Sequence, residues 1–175
     1  MLIGHQKQWG YLQKLAENGN PSHAYLFCGQ EKLGKKTLAL QWLSLLFGEN
    51  LQNRQHPDLF LIEPQNKEIQ IGQIRDLIWK LSLKPYSAPF KAAVIDQAHT
   101  MNQEAQTSFL KTLEEPRGRA LLILVTEYPE FLFPTIHSRV QTIKFSPVEK
   151  TEIVNYLKQQ EISPALIEEI ALLSM

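Results

Sequence analysis

The chain has 175 residues, 43% of them hydrophobic, which is enough to bury the core of one full domain and to begin a second. Its 18 basic and 18 acidic residues cancel, which excludes binding to nucleic acid or to an anionic membrane through net charge alone. A single cysteine, Cys28, excludes an internal disulfide. Because no stretch approaches the length of a membrane span and the N-terminus does not read as a signal peptide, we predict a cytoplasmic protein.

The first half of the chain alternates helical and strand patterns. Apolar residues at intervals of three and four predict a helix over residues 4–18, and the short apolar run Ala24–Cys28 predicts a buried strand. Lys35–Phe47 reads as a helix that is apolar on most of its circumference. A second strand is predicted over 58–63 and a further helix over 71–83, each ended by a proline.

The same alternation continues in the second half. Residues 92–95 predict a third strand, 101–113 a helix, and 120–125 the most apolar strand of the chain, with a short last strand at 142–145. Strands that alternate with helices predict an α/β fold with a mostly parallel sheet covered on both faces. Ligands of such sheets bind beyond the carboxyl ends of the strands, so the residues there are the candidates for a site.

A glycine-rich loop joins the first strand to the second helix. Gly29, Gly34 and Lys35 have the spacing of a phosphate-binding P-loop, whose backbone N–H groups and lysine cradle phosphates. One position differs, because Lys36 stands where the pattern has a Mg²⁺-binding hydroxyl, and Thr37 comes one residue late. The alternative is a plain strand-to-helix turn that needs glycines for tightness.

Asp96 and Gln97 directly follow the third strand. In P-loop NTPases such an aspartate helps to hold Mg²⁺, and in the ATPase branch the next residue is usually a glutamate that activates water. Gln97 cannot take that role, since an uncharged amide accepts no proton at neutral pH. The alternative for Asp96 is an ordinary strand-end aspartate that caps the next helix.

Two further stretches are more distinctive than the loop: LKTLEEP at 110–116 and PTIHSR at 134–139. Together with the phosphate loop, HPDL at 56–59 and VIDQAH at 94–99, they resemble the AAA+ clamp-loader family. The resemblance implies an AAA+ P-loop NTPase-like sheet domain over 1–145. It also implies that 146–175 are the first helices of a small helical lid domain, cut short.

The resemblance also implies roles for single residues. Arg139 occupies the arginine of the family's Ser-Arg-Cys motif, with Val140 in place of the cysteine, and would project into a neighbouring subunit's ATP site as an arginine finger. A guanidinium suits this role because it is always charged and bidentate. The alternative is a surface arginine in a salt bridge. Thr126 matches the family's phosphate-sensing position, with Glu127 as the rival assignment.

The function implied is that of a non-hydrolysing or weakly nucleotide-binding subunit of a hetero-oligomeric ring that loads the sliding clamp onto primed DNA. Weak binding of ATP or ADP with Mg²⁺ at Lys35 is left open. Zinc and a membrane partner are not expected, and residues 48–55 lack the cysteines with which many relatives bind zinc.

Two other functions compete with this one. The first is an active ATPase subunit of the same assembly, in which Thr37 shifts into the metal shell and another acid serves as base. The second is a stand-alone nucleic-acid-binding module that uses Lys32, Lys35 and Lys36 as a basic patch.

Overall fold

A computed structural model describes residues 4–19, 21–51, 56–115 and 118–148 of the chain. Its five strands are β1 (Ala24–Cys28), β2 (Leu59–Ile62), β3 (Lys91–Ile95), β4 (Ala120–Thr126) and β5 (Gln141–Lys144). Its five α-helices are α1 (Gln6–Glu17), α2 (Lys35–Phe47), α3 (Ile71–Ser82), α4 (Gln103–Glu114) and α5 (Pro134–His137). Single 3-10 turns lie at Ala98–Thr100 and Pro129–Phe131.

The strands form one parallel sheet in the order β2-β3-β4-β1-β5. The three inner strands are nearly fully buried along their length, as expected for a sheet with helices on both faces. Their carboxyl ends lie side by side, with Cys28 level with Thr126 and Ile95 level with Leu124. The predicted α/β fold is confirmed, and the residues that follow these strands share one edge of the sheet.

The core consists of one apolar cluster on each face of the sheet, and β1 contributes to both. Leu26 faces the cluster beneath α3 and α4, whereas Tyr25 and Phe27 face the cluster beneath α1 and α2. In the second cluster the fully buried Trp42 contacts the Tyr25 ring edge-on and donates its indole N–H to the Leu12 carbonyl at 2.8 Å. Trp42 therefore ties α2 to both β1 and α1.

Truncation of Trp42 to alanine is expected to lower the free energy of unfolding by about 3–5 kcal/mol, because it leaves a cavity and removes the hydrogen bond to the Leu12 carbonyl. Urea titration followed by circular dichroism would measure the loss. Trp79→Ala is the matched control, since that tryptophan is 61% exposed and should cost less than about 0.5 kcal/mol. Equal losses for the two variants would contradict this account of the core.

Most element boundaries differ from the predicted ones by one or two residues, and two of the differences have a clear cause. Helix α4 begins at Gln103 rather than at 101, because the Asn102 side chain caps it by accepting the N–H of Ala105 at 2.8 Å, and Met101 instead bridges to Ile69. Strand β2 begins one residue after Asp58, whose buried carboxylate binds a neighbouring loop.

The predicted lid segment is 146–175, and all of it beyond residue 148 lies outside the described residues. Within the part of the chain that the model covers, no helix combines the length and apolarity needed to cross a bilayer. The same part holds no group of three or more side chains that could bind a metal ion together. The absence of zinc from the protein stays a prediction.

Candidate functional site

A cleft of about 460 Å³ opens at the carboxyl edge of the sheet, between the glycine loop and the ends of β3 and β4. It brings together most of the residues predicted to form a nucleotide site. Those that line it are Gly34, Lys35, Lys36, Thr37, Asp96, Gln97 and Thr126. Three chain segments that are distant in sequence therefore meet at one place, as parallel strand ends should.

Gly29 has a structural reason to be glycine that does not depend on phosphate. Its φ of +147° is rare for other residues, and a Cβ atom there would lie 2.2 Å from the carbonyl oxygen of Phe145. The close approach lets Phe145 donate its N–H to the Cys28 carbonyl at 2.7 Å. Gly34, with φ of 74°, instead makes the sharp entry into α2.

Lys35 is buried at the start of α2 and folds back onto the loop. Its ammonium donates to the carbonyl oxygen of Gly29 at 2.7 Å and to that of Gln30. Burial lowers the pKa of this ammonium, and the nearby carboxylates of Glu127 and Asp96 oppose that effect. A phosphate group would therefore have to compete with two backbone carbonyls for Lys35.

Lys36 points to the neighbouring strand ends. Its ammonium forms an ion pair with Glu63, which directly follows β2, and lies 3.3 Å from the Oδ2 atom of Asp96, which directly follows β3. Burial alone would lower the pKa of Lys36, but these two carboxylates outweigh it and raise the pKa.

The residues at this position do not fit Mg²⁺. The family pattern would supply a hydroxyl and the Asp96 carboxylate, yet Lys36 replaces the hydroxyl and its ammonium already neutralises that carboxylate. Thr37 lies one residue further along α2. Mg²⁺ needs oxygen ligands at about 2.0–2.1 Å, and an ammonium group in the same place supplies none.

Thr126 is buried at the end of β4, and its hydroxyl is held within the chain. The oxygen accepts the N–H of Tyr128 at 3.1 Å and lies 3.1 Å from the Nδ1 atom of His99. Burial lowers the pKa of the His99 imidazole and so favours its neutral form, although the nearby carboxylates of Glu127 and Asp96 oppose this effect. Sequence reasoning missed His99, although it ends the VIDQAH motif.

Gln97, unlike Thr126, is not buried. It is exposed at the mouth of the cleft, and its backbone adopts a left-handed conformation with φ of 50°. Its N–H bonds to the adjacent Asp96 carboxylate at 3.0 Å, and its carbonyl accepts from Thr100. The side chain that stands in the place of a general base is therefore an amide open to solvent.

The charges around the cleft are balanced. Three lysines among the lining residues face three acids, namely Glu31, Asp96 and Glu127. Of those lysines, Lys35 is bonded to carbonyls and Lys36 to carboxylates, which leaves Lys32 as the one without such a partner among the described residues. A cleft of this kind presents no strong basic patch.

Arg139 lies outside the cleft, just after α5. Its guanidinium bonds to the Thr135 carbonyl at 2.9 Å, to the Ser138 hydroxyl at 3.0 Å and to the Glu114 carboxylate at 2.7 Å. The Arg139 side chain is 32% exposed and that of Glu114 is 49% exposed. The salt bridge considered as the alternative for Arg139 is therefore present, and Glu114, within the LKTLEEP motif, is a partner that sequence reasoning missed.

Comparison with known proteins places the chain in a family. The family model described as DNA polymerase III, delta subunit matches residues 4–149, and the protein named DNA polymerase III subunit delta′ of Bacillus subtilis is 32% identical over 169 residues. The chain belongs to the DNA polymerase III delta-prime family. The family member of that name from Pseudomonas aeruginosa is also 32% identical, over 151 residues.

The delta-prime relatives are longer than this chain. It is covered to 89% and 77% by the two proteins above but spans only 51% and 45% of their lengths. A replication factor C small subunit of Methanococcus vannielii is 29% identical, with 90% of this chain and 49% of that protein covered. The resemblance to the AAA+ clamp-loader family is confirmed by these matches.

Solved structures show the same fold. A DNA polymerase III gamma subunit-related protein of Thermotoga maritima matches with a TM-score of 0.68 and 24% identity, covering 93% of this chain and 57% of that one. The RuvB Holliday junction branch migration motor of the same organism matches with a TM-score of 0.72 and 18% identity, covering 97% and 56%. At identities below 25%, these matches show the AAA+ fold alone.

Proposed function

We propose that this chain is the AAA+ part of a clamp-loader subunit that does not hydrolyse ATP itself and supplies Arg139 to the ATP site of a neighbouring subunit. The observation that carries the proposal is the ion pair of Lys36 with Asp96, which takes up the carboxylate that a hydrolytic site would use for its metal. Gln97 adds to it, because an exposed amide cannot activate water.

The proposed role of Arg139 is supported by its placement. Arg139 lies outside its own chain's cleft. Among the described residues, its charged partner is Glu114, whose side chain is about half exposed. An exposed ion pair stabilises a protein by only about 0.2–1 kcal/mol. A phosphate of ATP bound to a neighbouring subunit can therefore replace Glu114 as the partner of Arg139 at little cost. A guanidinium at that place would neutralise charge on the transferring phosphoryl group.

The proposed setting is a hetero-oligomeric ring of clamp-loader subunits in the cytoplasm that places the sliding clamp on primed DNA. Residues 1–145 would form the sheet domain of this subunit, and 146–175 would begin its helical lid. Neither zinc nor a membrane is part of the proposal. Any ATP or ADP at Lys35 would bind weakly, because the loop carbonyls already hold its ammonium.

The test uses a ring reconstituted with this protein in which the only change is Lys35→Ala. If the chain does not hydrolyse ATP, the ring should turn over ATP within about twofold of the wild-type rate. The matched control is the same replacement in the loop lysine of the neighbouring ATPase subunit, which should abolish that subunit's contribution. A large loss in the first ring, with assembly intact by size-exclusion chromatography, would favour the active ATPase instead.

The nucleic-acid-binding alternative loses support from the cleft. Two of the three lysines on which it depends are bonded to carbonyl or carboxylate oxygens, and the lining acids cancel their charge. Binding of DNA by the isolated chain that falls steeply with salt would revive it.

A further inference from the structure

The ends of β2 and β3 form an arrangement that resembles half of a metal site. The strands are neighbours, and the residue after each is an acid, Glu63 after β2 and Asp96 after β3. Two carboxylates at adjacent strand ends beside a phosphate loop are the kind of oxygen ligands that Mg²⁺ binds. In this chain both carboxylates contact the ammonium of Lys36 instead.

We propose that the Lys36 ammonium takes the place of the divalent cation in this cleft, so that Mg²⁺ is kept out and any phosphate-bearing ligand binds there without it. This inference rests on the proposed function, since it concerns the same cleft. An ammonium has three N–H donors. Two can serve Glu63 and Asp96, and the third is left for a phosphate oxygen.

The site can hold one of these two cations but not both. A single ammonium between two carboxylates leaves one negative charge, whereas Mg²⁺ would neutralise both but would need most of its six ligands from water or phosphate. Placing both cations side by side would cost strong repulsion at a few ångströms. Lys36 belongs to the first turn of α2, so its ammonium is at the site whenever the chain is folded. Its side chain is 34% exposed.

The chain offers a direct test in Lys36→Thr, which restores the hydroxyl that the phosphate-loop pattern expects. The affinity for a fluorescent ATP analogue is measured with Mg²⁺ and again with EDTA, and bound metal is followed with Mn²⁺ by electron paramagnetic resonance. For the wild-type protein Mg²⁺ is expected to make no difference to binding. For Lys36→Thr it should strengthen binding by at least about tenfold, or about 1.4 kcal/mol, with one Mn²⁺ bound per nucleotide.

Two controls separate the loss of the ammonium from the gain of a metal ligand. Lys36→Met removes the ammonium and frees both carboxylates without adding a hydroxyl, so Mg²⁺ should strengthen its binding of the nucleotide, but by less than in Lys36→Thr. Lys36→Thr combined with Asp96→Asn should lose the gain, since the carboxylate is then missing. Thermal melts would confirm that all variants fold, as expected for changes at a partly exposed side chain.

Two results would overturn the inference: a wild-type affinity that falls about tenfold in EDTA, or a Lys36→Thr variant that shows no dependence on Mg²⁺. Both are read from binding and not from turnover. The ring experiment with Lys35→Ala can therefore refute the proposed function while the cation result stands, and the reverse also holds.

Discussion

Replacement of Arg139 by alanine is expected to lower ATP turnover by the assembled ring by about 10³–10⁵-fold at the neighbouring site, the range measured for arginine fingers. The reason is that a fixed positive charge at the transferring phosphoryl group would be lost, with nothing else to replace it. Turnover of a ring arranged so that only that neighbouring subunit is active would report the loss without background from other sites.

Two matched variants sharpen the test of Arg139. Arg75→Ala removes another exposed arginine, on α3, and should leave turnover unchanged. Glu114→Gln keeps Arg139 but removes its charged partner, so turnover should be kept or raised. If Arg139→Ala left turnover within a few fold of the wild type in an intact ring, the finger role would be wrong and the surface salt bridge would be its whole contribution.

Replacement of Asp58 by alanine is expected to lower the free energy of unfolding by about 3–5 kcal/mol, because it removes one partner of a buried ion pair. Asp58 is fully buried and accepts the backbone N–H groups of Tyr86, Ser87 and Ala88 at 2.7–3.0 Å. It also lies 3.4 Å from the ammonium of Lys91, which is only 5% exposed. Without Asp58 the loop loses its acceptor and Lys91 is a buried charge without its counter-ion.

Urea titration of the purified protein would measure this loss. Asp76→Ala is the control, since Asp76 forms an exposed pair with Lys80 one helical turn away and should cost no more than about 0.5 kcal/mol. A loss for Asp58→Ala below about 1 kcal/mol would mean that the loop it holds contributes little to the fold.

The same carboxylate makes stability depend on pH. Burial alone would raise the pKa of Asp58, but the N–H groups of Ala88, Ser87 and Tyr86 and the Lys91 ammonium outweigh it and lower the pKa from 3.8 to about 2. Because the folded-state pKa is the lower one, the contribution is present above pH 3.8 and is lost as the pH falls toward about 2. Asp58→Ala should lack this part of the acid transition.

The local elements of the fold could be predicted from the sequence because each depends on its own residues. The bounds of β1 and α2 agree with the prediction at both ends, since a short apolar run and a helix apolar on most sides are signals carried by neighbouring residues. The boundary of α4 was wrong by two residues, because the cap at Asn102 competed with an apolar Met101 that pairs elsewhere.

The sequence by itself determined that the glycine loop, Asp96 and Thr126 gather at the carboxyl edge of the sheet, because parallel strands all end there. Only the tertiary structure decided what those residues contact. Lys36 contacts both Glu63 and Asp96 because β2 and β3 are neighbours in the sheet. Arg139 contacts Glu114 because α5 packs against α4. Gly29 lies against Phe145, more than a hundred residues away in the chain. Such pairs depend on strand order and helix packing, and neither is encoded in the spacing of residues along one segment.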